Sequence, residues 1–279
     1  MDWPKAKNIL IIVLLILNFV LLLIIGFYKI DAGESKETLN SIKKILENRN
    51  VIINCTVPVY NKNIPYIIFE NGSPDMAAIA EILLGNVMKI PDEDIAGKVL
   101  VSGKKKIVIG YDNTLEYYNE EPSENYGNMD IAQAEEYARD FLKNLNIQVD
   151  NYELDNYSIS PEGDYTLLLI EKYKDFYIFD NYAIVNLSGS GIKKLIFGYK
   201  KIKGFSPDSE VSAMSAYQVL VKNADKINNV TITDIDIGFK GFFQPGQEVQ
   251  KSSEGPSWRV ITEEGDCFYF KASDGEPVM

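Results

Sequence analysis

The sequence predicts an α+β protein: a single N-terminal transmembrane helix, then an extracytoplasmic ectodomain built from helix-plus-antiparallel-sheet units. Three observations predict it. An uncharged apolar run fills residues 9–28. Stretches with apolar residues at helical spacing recur through the rest of the chain. Between them lie short β-rich runs punctuated by Gly, Pro, Asn and Asp.

The run from Ile9 to Tyr28 is 20 residues long, and its one polar side chain before Tyr28 is Asn18. At ~1.5 Å rise per residue, a helix of that length crosses a ~30 Å hydrocarbon core. A cleaved secretory signal has a shorter apolar core of ~7–15 residues and ends at a small-residue site. Gly26-Phe27-Tyr28-Lys29-Ile30-Asp31-Ala32-Gly33 offers no A-x-A, so the run reads as an uncleaved anchor. Lys5 and Lys7 precede it, whereas Lys29 and Lys36 behind it are diluted by Asp31, Glu34 and Glu37. That bias puts residues 1–8 in the cytoplasm as a short tail and residues 29–279 outside the cell membrane. Trp3, Lys5 and Lys7 read as a membrane-interface anchor. Asn18 has two readings: a hydrogen bond to a partner helix, worth ~0.6–2 kcal/mol, or a bond back to its own helix.

Charge narrows the ligand classes. The formal net charge is −12, and removing Asp2, Lys5 and Lys7, together +1, leaves −13 on the exported part. Such a surface is repelled by anionic headgroups and by nucleic acid. The chain has no histidine, the commonest general base and metal ligand. Cys55 and Cys267 stand far apart in apolar, strand-like surroundings; they read as buried small hydrophobes in preference to a disulfide.

After the anchor, Ser35 can cap a juxtamembrane helix carrying Leu39, Ile42, Ile45 and Leu46 on one face. Val51–Tyr60 and Tyr66–Phe69 are strand-like, broken by Pro58 and Pro65. Ser73-Pro74 opens a helix with Met76, Ile79, Ala80 and Leu83 at helical spacing, closed by Gly85. Short strands follow at Lys98–Val101, Lys106–Tyr111 and Thr114–Tyr118. The polar stretch 119–128 marks a boundary, giving ectodomain subdomains 29–128 and 129–279. Asp130 and Gln133 form a capping box for a helix burying Ala134, Ala138, Phe141, Leu142 and Leu145. β-rich sequence runs on to Phe205, with turns at Pro161–Asp164, Lys174-Asp175, Asp180-Asn181 and Ser188–Gly191. Ser209 then caps a helix with Ala213, Ala216, Tyr217, Leu220 and Val221, and strands follow at Thr231–Phe243, Trp258–Thr262 and Cys267–Ala272. Residues 130–205 and 206–279 thus repeat one order, a helix followed by antiparallel strands.

Few residues suggest chemistry. Asp234 and Asp236 share one face of a strand, which reads as a solvated edge and not as a metal site. Ser188-Gly189-Ser190-Gly191 has the spacing of neither a nucleophile elbow nor a phosphate loop and reads as a turn. Trp258 and Arg259 have two readings. They form an exposed hot spot for a partner protein, or the strand start whose Trp closes a small core, and the need of small α+β domains for large internal aromatics favours the second. No cofactor, metal or small-molecule substrate is expected, and the chain reads as a non-enzyme.

Both ends carry a resemblance. Met1-Asp2-Trp3-Pro4-Lys5-Ala6-Lys7 running into a hydrophobic helix resembles the opening of YycI (WalI) proteins. Gly255-Pro256-Ser257-Trp258-Arg259-Val260, then Phe268-Tyr269-Phe270-Lys271-Ala272 and Gly275-Glu276, is similar to that family's close, as is the helix with Ala216-Tyr217 and Leu220. The resemblance implies a single-pass accessory regulator of a WalK-type sensor histidine kinase that governs cell-wall metabolism in Gram-positive bacteria. Its helix would pack with that of the kinase, and its PepSY/YycH-like ectodomain with a sister regulator of YycH type. The rival expectation is a membrane-tethered PepSY-like binding or inhibitory module, with the helix as a tether only.

Overall fold

A computed structural model of the protein describes residues 7, 11–20, 36–60, 62–70, 74–85, 97–112, 114–241 and 251–278. Its named helices are α1 (Lys36–Glu47), α2 (Met76–Leu84), α3 (Ile131–Asn144) and α4 (Ala216–Lys222). The strands are β1 (Val51–Ile53), β2 (Asn63–Glu70), β3 (Val99–Ser102), β4 (Lys105–Ile109), β5 (Thr114–Asn119), β6 (Tyr152–Ile159) and β7 (Tyr165–Tyr173). They continue with β8 (Phe176–Ser188), β9 (Gly191–Gly198), β10 (Lys201–Ser212), β11 (Val230–Phe239), β12 (Lys251–Glu254), β13 (Pro256–Thr262) and β14 (Cys267–Lys271).

Local chemistry sets the helix ends. Asp130 accepts the Gln133 N–H at 2.9 Å while the Gln133 side chain accepts the Asp130 N–H at 3.0 Å, the reciprocal box read from the sequence. Gly85 closes α2 in the left-handed region at φ 85°. The N-cap of α2 is Asp75, one residue beyond Pro74. The last helix starts later than expected. Ser209 lies within β10, where Glu210, Val211 and Ser212 pair with Pro65, Ile64 and Asn63, and a second box, Ser215 with Gln218, opens α4. Strand pairing over long range overrides the weaker cap signal.

The strands form an 11-stranded sheet and a three-stranded sheet, β10-β2-β12. The large sheet runs β14-β13-β11-β8-β9-β5-β4-β3, with β1 added at β11, and β7 and β6 added at β8. It is mixed, which corrects the expectation of antiparallel strands throughout: β1 and β8 both run parallel to β11. β1 is also shorter than the strand expected over Val51–Tyr60.

Two hydrophobic cores lie along this sheet. The first gathers α2 and α3 with β4, β5, β7, β9 and the far half of β8, around residues such as Leu83, Ala138, Leu142, Leu169 and Leu195. The second gathers α1, α4, β2, β11, β13 and β14, around Leu46, Phe69, Leu220, Phe239, Trp258 and Phe270. The boundary expected at 128/129 does not separate them: residues 42–69 belong with the C-terminal core and residues 76–117 with the middle of the chain.

β8 crosses between the cores. Its end from Tyr182 to Leu187 pairs with β7 and β9, while Tyr177 and Ile178 pair with β7 and, in place of β9, with β11. The change of partner falls at Phe179-Asp180-Asn181, which have no register partner in β7. The expected turn at Asp180-Asn181 is therefore an in-strand bulge. Asn181, fully buried, donates to Glu171 at 2.6 Å and to the Lys200 carbonyl at 2.9 Å, and accepts the Lys200 N–H at 2.6 Å. Its amide stands in for the missing ladder. The Lys174-Asp175 turn does form, with both residues at positive φ, 48° and 69°.

Residues 11–20 are helical, with their apolar side chains exposed. Among the described residues no helix is long and apolar enough to cross a membrane. The expected span 9–28 extends at both ends outside the described residues.

Candidate functional site

Trp258 and Arg259 are neighbours on β13, so strand alternation sends their side chains to opposite faces. Trp258 enters the second core, its Nε1 donating to the Met214 carbonyl at 2.9 Å and its ring meeting Tyr60 edge-on at 5.9 Å between centroids. Arg259 faces the other way and is equally enclosed; each residue is 1% exposed. The reading of this pair as an exposed partner contact is thereby corrected: an interior position leaves neither side chain free to meet another protein.

What encloses Arg259 is a charged cluster drawn from three strands. Asp236 on β11 stands opposite it in the antiparallel register, and its Oδ2 accepts from Nη2 at 2.6 Å. Asp155 on β6 accepts two parallel bonds, from Nη1 at 2.8 Å and Nη2 at 2.6 Å. Asp155 is the extra residue of a bulge, between Leu154 and Asn156 in the β6–β7 register. The rings of Phe179 and Tyr177 lie 4.9 and 5.3 Å from the guanidinium carbon, close enough for cation–π attraction.

The planar fork of arginine suits this shared role, since one Nη group can serve two carboxylates at once. Burial pushes the Asp236 carboxyl up to about 6, with Asp234 and Asp155 adding to the rise and Arg259 opposing it. Burial works against the Arg259 charge, yet its bonds to Asp155 and Asp236 hold it above its ordinary value. The two shifts are compatible, because one cation gains from both carboxylates while each carboxylate has only a share of the cation. Asp236 is thus no solvated edge residue, and it points at Arg259 instead of forming an acidic pair with Asp234.

A second, half-buried carboxylate sits at the β8 bulge. Asp180 accepts from Lys240 at 2.7 Å, Lys200 at 3.0 Å and the Gly241 N–H, which ties β8 to the segment after β11. Both carboxylate clusters therefore hold the two cores together.

Family comparison adds the decisive observation. The model of the family described as YycI protein matches residues 31–273. The chain belongs to the YycI family. YycI is a family of regulatory accessory proteins. No curated protein matches the chain. Several solved structures are similar to it, two of them as follows. An uncharacterized protein from Eubacterium rectale is 13% identical, covering 85% of this chain and 98% of its own, at a TM-score of 0.48. YycH from Bacillus subtilis is 10% identical, covering 77% of this chain and 52% of its own, at a TM-score of 0.44.

In this YycI chain, neither Asn18 nor Lys7 contributes to the Arg259 cluster. Asn18 is on the helical segment 11–20 and exposed, and Lys7 is also helical and exposed. Trp3 and Lys5 lie outside the described residues. Cys55 is half-buried and Cys267 exposed, and both thiols are free, so only Cys55 approaches the buried reading. Among the described residues, hollows of about 480 and 290 Å³ indent the surface. In the larger, Asp164 is held by Lys193; in the smaller, Lys240 is held by Asp180. Asp155, Asp180 and Asn181 escaped sequence reasoning. An isolated Asp in a β-rich run carries no sign of a cation far along the chain, although arginine is rare enough here that Arg259 invited the question of its partner.

Proposed function

We propose that this YycI chain is a non-enzymatic, membrane-anchored regulator of a WalK-type sensor histidine kinase controlling cell-wall metabolism. The family match over residues 31–273 carries this reading. Residues 9–28 anchor the chain as a single-pass helix with the N-terminus in the cytoplasm, held at the interface by Trp3, Lys5 and Lys7. Regulation passes through contacts of the helix, with Asn18 toward the partner, and of the ectodomain. A sister regulator of YycH type is the expected ectodomain partner. The acidic ectodomain, with a net charge of −13 once Asp2, Lys5 and Lys7 are set aside, disfavours nucleic acid or anionic lipid as ligand.

The test is to exchange residues 9–28 for an unrelated transmembrane helix and read kinase autophosphorylation in cells. Loss of regulation with a folded ectodomain supports the proposal. Unchanged kinase output overturns the helix contact. Full activity of a released 30–279 fragment favours the tethered binding module instead.

A further inference from the structure

The Arg259 cluster is more than a fastener, because its charges do not balance. Two carboxylates share one guanidinium in a place where Arg259 and Asp155 side chains are 1% and 6% exposed and Asp236 is 17% exposed. The other groups around Asp236 leave the imbalance standing. Asp234, on the same strand, adds negative charge, as the rise it causes at Asp236 shows. On β6 and β7, Glu153 and Lys172 pair with each other at 2.7 Å and cancel. Tyr177 on β8, Tyr269 and Cys267 on β14, and Tyr60 after β1 all stay neutral, each pushed upward by burial. One surplus negative charge therefore remains enclosed at the contact between β6 and the β11–β13 pair.

We infer that the Asp155–Arg259–Asp236 cluster is a proton-responsive joint, which takes up one proton on Asp236 in mildly acidic surroundings and thereby tightens the contact between the two cores. A protonated Asp236 still offers its carbonyl oxygen to the guanidinium, and Asp155 keeps its two-point ion pair, so neutralisation removes the surplus without breaking the cluster. β11 is well placed to transmit the change. At one end it pairs with β1, directly after α1, and at the other with Tyr177 and Ile178 of β8, the strand whose far half enters the first core. The joint lies between these two attachments. The sign follows from linkage: a carboxyl raised from 3.8 to about 6 in the folded state contributes stability when protonated, and that contribution is lost as pH rises from about 4 through 6. This inference does not depend on which protein the ectodomain meets.

The test uses the full chain in detergent micelles with ¹³C-labelled aspartate carboxyls, titrated by NMR, together with amide hydrogen exchange. The expected result is one aspartate resonance with a midpoint near pH 6 that disappears in Asp236→Asn. In Asp155→Asn the guanidinium belongs to Asp236 alone, and the same midpoint falls by a unit or more. Amides of β6 and β13 open about fourfold less readily at pH 5.5 than at pH 7.5, after correction for intrinsic exchange, and Asp236→Asn abolishes the difference. An absence of any aspartate titrating between pH 5 and 7, or its persistence in Asp236→Asn, overturns the inference. If Asp236→Asn does not fold, an unmoved midpoint in Asp155→Asn overturns it equally.

Discussion

Arg259 and Asp155 stand 104 residues apart in the chain and meet in a two-point ion pair, with Nη2 and Nη1 at 2.6 and 2.8 Å from the carboxylate oxygens. Asp155 belongs to β6, where Tyr152 lies in the first core and Leu154 packs against it. Arg259 belongs to β13, whose neighbour Trp258 lies in the second. The pair is therefore a fastening between cores, and its consequences are measurable.

Removing the cation strands two carboxylates. Arg259→Ala is expected to cost about 3–5 kcal/mol, because an unpaired buried charge is worse than none. Arg259→Lys keeps the charge but loses the planar fork, and recovers only part of that loss. Urea denaturation of the full chain in micelles measures both. A loss below about 1 kcal/mol for Arg259→Ala would show that the cluster is not structurally important.

Gly238 makes a different prediction. It faces β8 so closely that an added Cβ would overlap the Tyr177 carbonyl and the Phe179 ring. Only glycine lets β11 and β8 pair at Gly238 and Phe239. Gly238→Ala should destabilise by about 1–3 kcal/mol through overpacking. It should also raise hydrogen exchange at Tyr177 and Ile178 before it does so in β9. Uniform exchange along β8 and β9 would contradict this.

Tyr152 should behave in the opposite sense. Its ring lies in the first core at 4% exposure, and its hydroxyl finds no hydrogen-bond partner among the described residues. Tyr152→Phe keeps the packing and removes an unsatisfied polar atom, so stability should hold or rise by up to about 1 kcal/mol. A fall in the thermal midpoint would reveal a partner for that hydroxyl.

The sequence was most legible where one short stretch holds all the information. The Asp130–Gln133 box, the Gly85 cap and the Lys174-Asp175 turn each depend on neighbours within a few residues, and each forms. Ser209 misled because its surroundings are decided by β2, far earlier in the chain. Asp180-Asn181 misled because turn chemistry and bulge chemistry use the same residues, and only the exchange of partners along β8 tells them apart. The division into cores was illegible for the same reason: residues 42–69 and 216–272 share an interior that no local pattern announces. Arg259 could be recognised as unusual, but Asp155 could not, since their meeting is a product of the whole sheet.

The proposed contact between this chain and a sensor kinase is measured most directly in the membrane. A photoreactive residue is placed at position 18 of the full chain, crosslinked in cells that contain the kinase, and the captured species are identified by mass spectrometry. The expected result is capture of the sensor histidine kinase, with loss of the crosslink when the photoreactive group is moved to the opposite side of the helix. Capture of lipid alone would contradict it.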